Sequence, residues 1–179
     1  MRLRRSMTMP FAPGMHVFPG GGVSASDEST DDPLRACAIR ETYEEVEIRV
    51  DECSLFDRWI TPENEDRRYD VSFYLAEVQD LGRLVTTEAD EMVWIAPVEA
   101  LERHARGEFP MLHPTRVVLE DIAAERVIPG VPPSDPVAKL PRRRLDGSWD
   151  VIDARTGITL AIVDDGPTFR ESDGRPSRT

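Results

Sequence analysis

Arg40-Glu41-Thr42-Tyr43-Glu44-Glu45 sets one guanidinium among three carboxylates. On a helix, Glu41 and Glu45 are four residues apart and Glu41 and Glu44 three apart, so all three reach one side. Arg40 stands four before Glu44 and can hold it in place. Like charges at these spacings repel, so the cluster weakens the helix unless something positive sits among it. A divalent cation with oxygen ligands meets that need, and Mg²⁺ commonly completes its shell with substrate phosphates. A solvated acidic helix face would carry the same string.

The flanking residues favour the site reading. Met15-His16-Val17-Phe18 reads as a strand entering Pro19-Gly20-Gly21-Gly22, a turn whose backbone can approach a ligand closely. A polar loop over residues 24–33 follows, then a helix from about Pro33 to Val46. Asp32 is the expected N-cap and Pro33 the expected first helical residue. Leu34, Ala38, Ile39 and Thr42 form the expected core-facing stripe, with Glu41, Glu44 and Glu45 off it.

These residues resemble the box of the Nudix hydrolases, G-x5-E-x7-R-E-U-x-E-E-x-G-U with U aliphatic. Gly22 and Glu28 match its opening, Arg40, Glu41, Glu44 and Glu45 its core, and Ile48 its last aliphatic position. Two departures stand out. Eleven residues rather than seven separate Glu28 from Arg40, and Glu47 occupies the second glycine position. If Glu47 takes the left-handed geometry of that glycine, the backbone pays roughly 1–2 kcal/mol. Phe11–Val23 and Pro33–Ile48 are similar to the coenzyme A and acyl-CoA diphosphatase subgroup. The resemblance runs over about residues 3–125 and includes Trp94–Leu101.

The resemblance implies an α+β fold, an α/β/α sandwich with a mixed central sheet. It implies metal-dependent hydrolysis of a pyrophosphate bond in a nucleoside diphosphate linked to another moiety, with CoA or an acyl-CoA as the subgroup's substrate. Glu41, Glu44 and Glu45 would bind Mg²⁺ or Mn²⁺ with a backbone carbonyl at or near Gly22, and Arg40 would lock the glutamates. Glu28 would hydrogen-bond near the loop. The general base would be Glu41 or a later acid, Glu88 or Glu91, with Glu91 preferred. A non-catalytic module that binds a nucleotide or a partner is the competing reading.

Other residues carry weaker signals. Arg67 and Arg68 could grip substrate phosphate in two-pronged fashion, although surface ion pairs explain them equally well. His16, His104 and His113 are scattered, and a structural role is expected for each, as it is for Trp59, Trp94 and Trp149. Cys37 reads as a small buried residue. Pro141–Arg144 reads as a solvated basic run.

The resembled family places a strand ahead of the segment matching Met1–Met15, and here only Leu3–Arg5 could be its tail. The expectation is a domain lacking that strand, with a true start upstream of Met1. Residues 1–126 form the expected Nudix domain. Residues 127–179 form an expected proline-rich linker, a hairpin of Trp149–Ile152 with Ile158–Val163, and a disordered tail.

Composition bounds the partners. Among 179 residues, 22 basic and 34 acidic side chains give a formal net charge of −12, which argues against nucleic acid and anionic membranes. No apolar run approaches the ~20 residues of a membrane span, and the two cysteines show no disulfide framework. A cytoplasmic setting and a small-molecule nucleoside diphosphate derivative as ligand are expected. A homodimer is left open.

Overall fold

The computed structural model describes residues 1–61, 68–125, 138–145, 148–153 and 159–163. Strand β1 (Arg2–Arg5) is the centre of a three-stranded antiparallel sheet, between β2 (His16–Val17) and β5 (Ala89–Val93). The segment expected to carry only the tail of a strand thus forms a four-residue strand in the centre of this sheet. Leu3 faces Val17 on one side and Met92 on the other, and is 1% exposed. Its burial, worth about 1.5–3 kcal/mol, offsets the poor strand composition of the flanking arginines.

The helices α1 (Ala25–Glu28) and α2 (Pro33–Val46) follow the glycine loop. Leu3 and Ala89 pack with Val46 and Ile48 on one side of the small sheet. Val93 and Phe18 pack on the other, against a core of Ala100, Phe109, Met111 and Leu119 supplied by α3 (Pro97–Ala105), α4 (His113–Ala123) and the segment joining them. The small sheet thus lies between α2 and the α3–α4 pair, the layering of an α+β sandwich.

A second sheet has the order β4-β3-β6-β7-β8. Its strands are β3 (Ser54–Ile60), β4 (Asp70–Leu75), β6 (Ala138–Arg143), β7 (Trp149–Asp153) and β8 (Thr159–Val163). β3 pairs antiparallel with β4 and parallel with β6, so this sheet is mixed. β7 and β8 fall on the two segments expected to pair and run antiparallel, and β6 links them to β3. The proline-rich stretch 127–137 and the tail lie outside the described residues.

A buried polar network joins β3 to β6. Asp57, 3% exposed, accepts from Trp59 Nε1 at 3.0 Å and from Lys139 Nζ at 2.7 Å. Lys139 also lies 3.6 Å from Asp121 of α4 and over the Trp59 ring. A buried carboxylate needs such partners, because desolvating an isolated charge is costly.

α2 keeps its expected bounds. Asp32 caps it by accepting from the Arg35 amide at 3.1 Å, and Pro33 opens it. At its C-terminus Glu47 adopts φ 54° and ψ 25°, the left-handed geometry that a glycine would take freely. Its amide donates to Tyr43 at 2.8 Å, and its carboxylate pairs with Arg83. The last carbonyls of the helix are capped by residues 83–86. Arg83 donates to Val46 at 2.8 Å and Val85 to Glu45 at 2.9 Å.

The expected core stripe of α2 is corrected. Leu34 is 45% exposed, while Cys37 and Val46 are the buried residues of the helix. The face at Cys37, Glu41 and Glu45, four residues apart, turns toward the glycine loop instead. Loop amides and Arg40 supply partners for the carboxylates, which makes a polar line tolerable at a half-buried contact.

Candidate active site

Glu41, Glu45 and Cys37 all touch the glycine loop. The Gly20 amide donates to Glu45 Oε2 at 3.0 Å, and Cys37 Sγ donates to the Gly21 carbonyl at 3.6 Å. A Cβ at Gly21 would lie 2.3–2.7 Å from the Glu41 carboxyl atoms. Only glycine lets this backbone come so near that carboxylate.

Arg40 organises the cluster. Its Nη1 donates to Glu41 Oε1 and to Glu44 Oε2, both at 2.9 Å. Its Nη2 donates to the Gly22 carbonyl at 3.0 Å and to Asp27 Oδ2 at 2.8 Å, while Nε reaches Asp27 Oδ1 at 3.1 Å. These are charge-assisted bonds in the planar fork geometry that suits arginine. The positive group required among the glutamates is thus partly Arg40 itself. Its pKa is raised, chiefly by the bond to Asp27.

The acid that clasps Arg40 is Asp27, not Glu28. Asp27 is 3% exposed and Glu28 lies on the surface. Asp27 also accepts from the amide and hydroxyl of Ser24, each at 2.8 Å, forming a capping box at the start of α1. The Arg40 hydrogen bond is the first cause holding the Asp27 carboxyl below its ordinary range, followed by the Ser24 amide. The sequence signal was available: Ser24-Ala25-Ser26-Asp27 has the spacing of a capping box.

Glu45 is displaced in the opposite sense to Asp27. Burial raises its pKa from 4.5 to about 7, the Gly20 amide opposes the rise, and the charges of Glu41 and Glu88 add to it. Desolvation with like-charge neighbours is a mark of a functional site.

The later acids separate. Glu91 falls within β5 rather than in a loop, opposite Arg4, and pairs with it at 3.2 Å. Glu88 precedes the strand, its carbonyl accepts from the Ser6 amide at 2.8 Å, and its charge is felt by Glu45. Arg68 is exposed, and its Nε donates to the Thr61 carbonyl at 3.2 Å. Arg67 lies outside the described residues. The histidines serve packing. His16 stacks on Phe109 at 3.4 Å, His104 donates to the Phe109 carbonyl at 2.9 Å, and His113 meets Trp59 edge-on. Trp59 is buried as expected, whereas Trp94 is 42% exposed and donates to the Leu81 carbonyl.

The donor set fits a hard divalent cation. Three carboxylates stand on adjacent turns of one helix beside backbone carbonyls, and oxygen ligands are what Mg²⁺ and Mn²⁺ take. With Arg40 between Glu41 and Glu44, no group of three or more acidic, histidine or cysteine side chains converges as a ready cage among the described residues.

A family model described as NUDIX domain matches residues 3–114, and the chain belongs to the Nudix family. A Caenorhabditis elegans protein carrying the name nudix hydrolase 7 is 29% identical over 153 residues, covering 64% of this chain and 52% of its own. The chain thus spans about half the length of this curated relative. The crystal structure of a NUDIX hydrolase from Alicyclobacillus acidocaldarius superposes with a TM-score of 0.60 at 25% identity, over 69% of this chain and 82% of the other. The Mutator MutT protein of Bacillus halodurans shares the fold, with a TM-score of 0.55 at 17% identity over 84% and 87% of the two chains. No helix among the described residues is long and apolar enough to cross a membrane.

Proposed function

We propose that this protein is a pyrophosphohydrolase acting on a nucleoside diphosphate linked to another group, with CoA or an acyl-CoA as the substrate class. The observation that carries the reading is the meeting of Glu41 and Glu45 with the glycine loop, under the clasp of Arg40 on Asp27. Glu41, Glu44 and Glu45 would hold Mg²⁺ or Mn²⁺, with a loop carbonyl at Gly22 or beside it. When bound, a divalent cation neutralises phosphate charge and makes a bound water easier to deprotonate.

The residues of the chain do the positioning. The Gly20 amide holds Glu45 toward the loop, and Arg40 ties Glu41 and Glu44 to Asp27 and the Gly22 carbonyl. A carboxylate takes the proton of the attacking water. Glu41, Glu88 and Glu91 are the candidates; Glu41 is paired with Arg40 and Glu91 with Arg4. The products would be a nucleotide and a phosphorylated remainder.

The competing reading is a nucleotide-binding module without turnover, favoured by the way Arg40 already neutralises Glu41 and Glu44. A phosphate-release panel over CoA, NADH, nucleotide sugars and dinucleoside polyphosphates with Mg²⁺ or Mn²⁺ separates the two. Turnover that disappears in Glu45→Gln supports the hydrolase. Turnover unchanged in that variant removes the metal assignment, and binding without turnover favours the module.

A further inference from the structure

Arg2 is a buried cation with no acid to balance it. It stands in β1 and is 5% exposed, between Val93 of β5 on one side and Phe18 on the other. The β1–β2 register, Leu3 to Val17 and Arg4 to His16, sets Arg2 against Phe18 when carried one step further. The guanidinium carbon lies 3.6 Å from the centre of the Phe18 ring. Nη1 donates to the Met1 carbonyl, and Nε has no hydrogen-bond partner. Among the described residues no carboxylate pairs with Arg2, whereas Arg4, two residues along the same face, is held by Asp90 and Glu91. Burial lowers the Arg2 pKa to about 9, which still leaves it charged at neutral pH.

A residue that only filled space would not be an arginine here. Leu3, Val17, Phe18 and Val93 around it are apolar, and Phe18 and Val93 pack on the core of α3 and α4. Desolvating a charge without a counter-ion is costly, and an apolar side chain of similar volume commonly serves stability as well or better. What the guanidinium gains is the electron-rich face of the Phe18 ring. What the ring gains is a fixed seat. Phe18 also meets Phe73 of β4 edge-on at 5.8 Å, so it is held from both sheets.

Phe18 is the last residue before Pro19 and the glycine loop. Proline locks its own φ, and the residue ahead of a proline is confined to extended backbone. Phe18–Pro19 is therefore a stiff step, and it leads straight to Gly20, whose amide donates to Glu45 at 3.0 Å. We propose that Arg2 is a positioning residue: seated on the Phe18 ring, it sets the stiff step into the glycine loop and holds the Gly20 amide on Glu45. Its effect on the loop stands on geometry alone, while its effect on turnover rests on the pyrophosphohydrolase reading.

The test is amide hydrogen exchange at Gly20, followed by NMR in the full chain without added metal. The Glu47 amide, which donates to Tyr43 at the end of α2, is the internal control. Arg2→Met removes the charge and keeps the volume, so its melting temperature should equal or exceed that of wild type. Gly20 should nevertheless lose about tenfold in protection, the scale of one hydrogen bond to a charged group, with Glu47 unchanged. Phe18→Leu, which removes the ring, should lose as much at Gly20. Arg2→Lys, which keeps a cation over the ring, should stay within about threefold of wild type. On the substrate that the phosphate-release panel cleaves fastest, kcat of Arg2→Met should fall by about 10–100-fold with KM within about twofold. Gly20 protection in wild type no greater than in Arg2→Met overturns the proposal. So does Arg2→Lys losing as much as Arg2→Met, a loss at Glu47 equal to that at Gly20, or an unchanged kcat in a variant whose Gly20 has opened. If Arg2→Met does not fold, Phe18→Leu decides by the same exchange. A wild type that cleaves nothing on the panel sinks the hydrolase reading instead, and the exchange at Gly20 still decides the role of Arg2.

Discussion

The Gly20 amide donates to Glu45 Oε2 at 3.0 Å, across the gap between the glycine loop and the last turn of α2. Burial nevertheless leaves Glu45 with a pKa near 7, so its charged form is held at a cost that the amide only partly offsets. In the unfolded chain this carboxyl titrates near 4.5. Between these values the folded state binds more protons than the unfolded one, so stability falls as pH rises through that window. Glu45→Gln keeps an acceptor for Gly20 and removes the charge. Without metal at pH 8 it should melt a few degrees above wild type while turnover falls by at least about 100-fold, a trade of stability for function. Thermal melts beside phosphate release would check both halves, and a variant less stable than wild type would refute the burden placed on Glu45.

Asp27 and Glu28 should behave oppositely despite being neighbours. Asp27→Ala removes the anchor of Arg40 and one half of a capping box, so both melting temperature and turnover should fall. Glu28→Ala changes an exposed residue and should stay within about 0.5 kcal/mol of wild type. A denaturant titration of the two variants settles the assignment, and equal effects would contradict it.

Glu47→Gly should raise the melting temperature by about 2–4 °C, because the left-handed backbone at φ 54° is freely available to glycine. The exposed pairing with Arg83 that is lost contributes little in water. Turnover should be preserved, since the glutamate cluster lies in the preceding turn. A melting temperature that fell would show that the Arg83 pairing outweighs the backbone strain.

His16 supplies a pH dependence. Burial first, and then the charges of Arg4 and Arg2, lower its pKa from 6.5 to about 4. The unfolded state therefore binds more protons between those values, and stability should be lost as pH falls from about 6.5 to 4. The loss should be roughly 2 kcal/mol and absent in His16→Gln, which cannot titrate. Melts at pH 4.5 and 7.5 compare the two proteins.

Local signals in the sequence mark the ends of α2 but not its buried face. Asp32 and Pro33 announce the start of α2, and the spacing of Glu41, Glu44 and Glu45 places them on adjacent turns of one helix. What escaped depends on distant partners. β1 has three arginines in four residues, and it becomes a strand only because Val17 and Met92 enclose Leu3 from both sides. The placement of Glu88 and Glu91 turns on where a strand begins, a boundary no local residue marks.

The pairing of β3 with β6 has a consequence for where this chain can be cut. A protein stopped at residue 125 would still hold the whole stretch matched by the family model, yet Asp57 would be left buried with its lysine gone. Breaking a buried pair in this way costs about 3–5 kcal/mol, and β3 would present bare amides and carbonyls to any passing strand. Such a fragment should collect in inclusion bodies to a greater extent than the 179-residue chain.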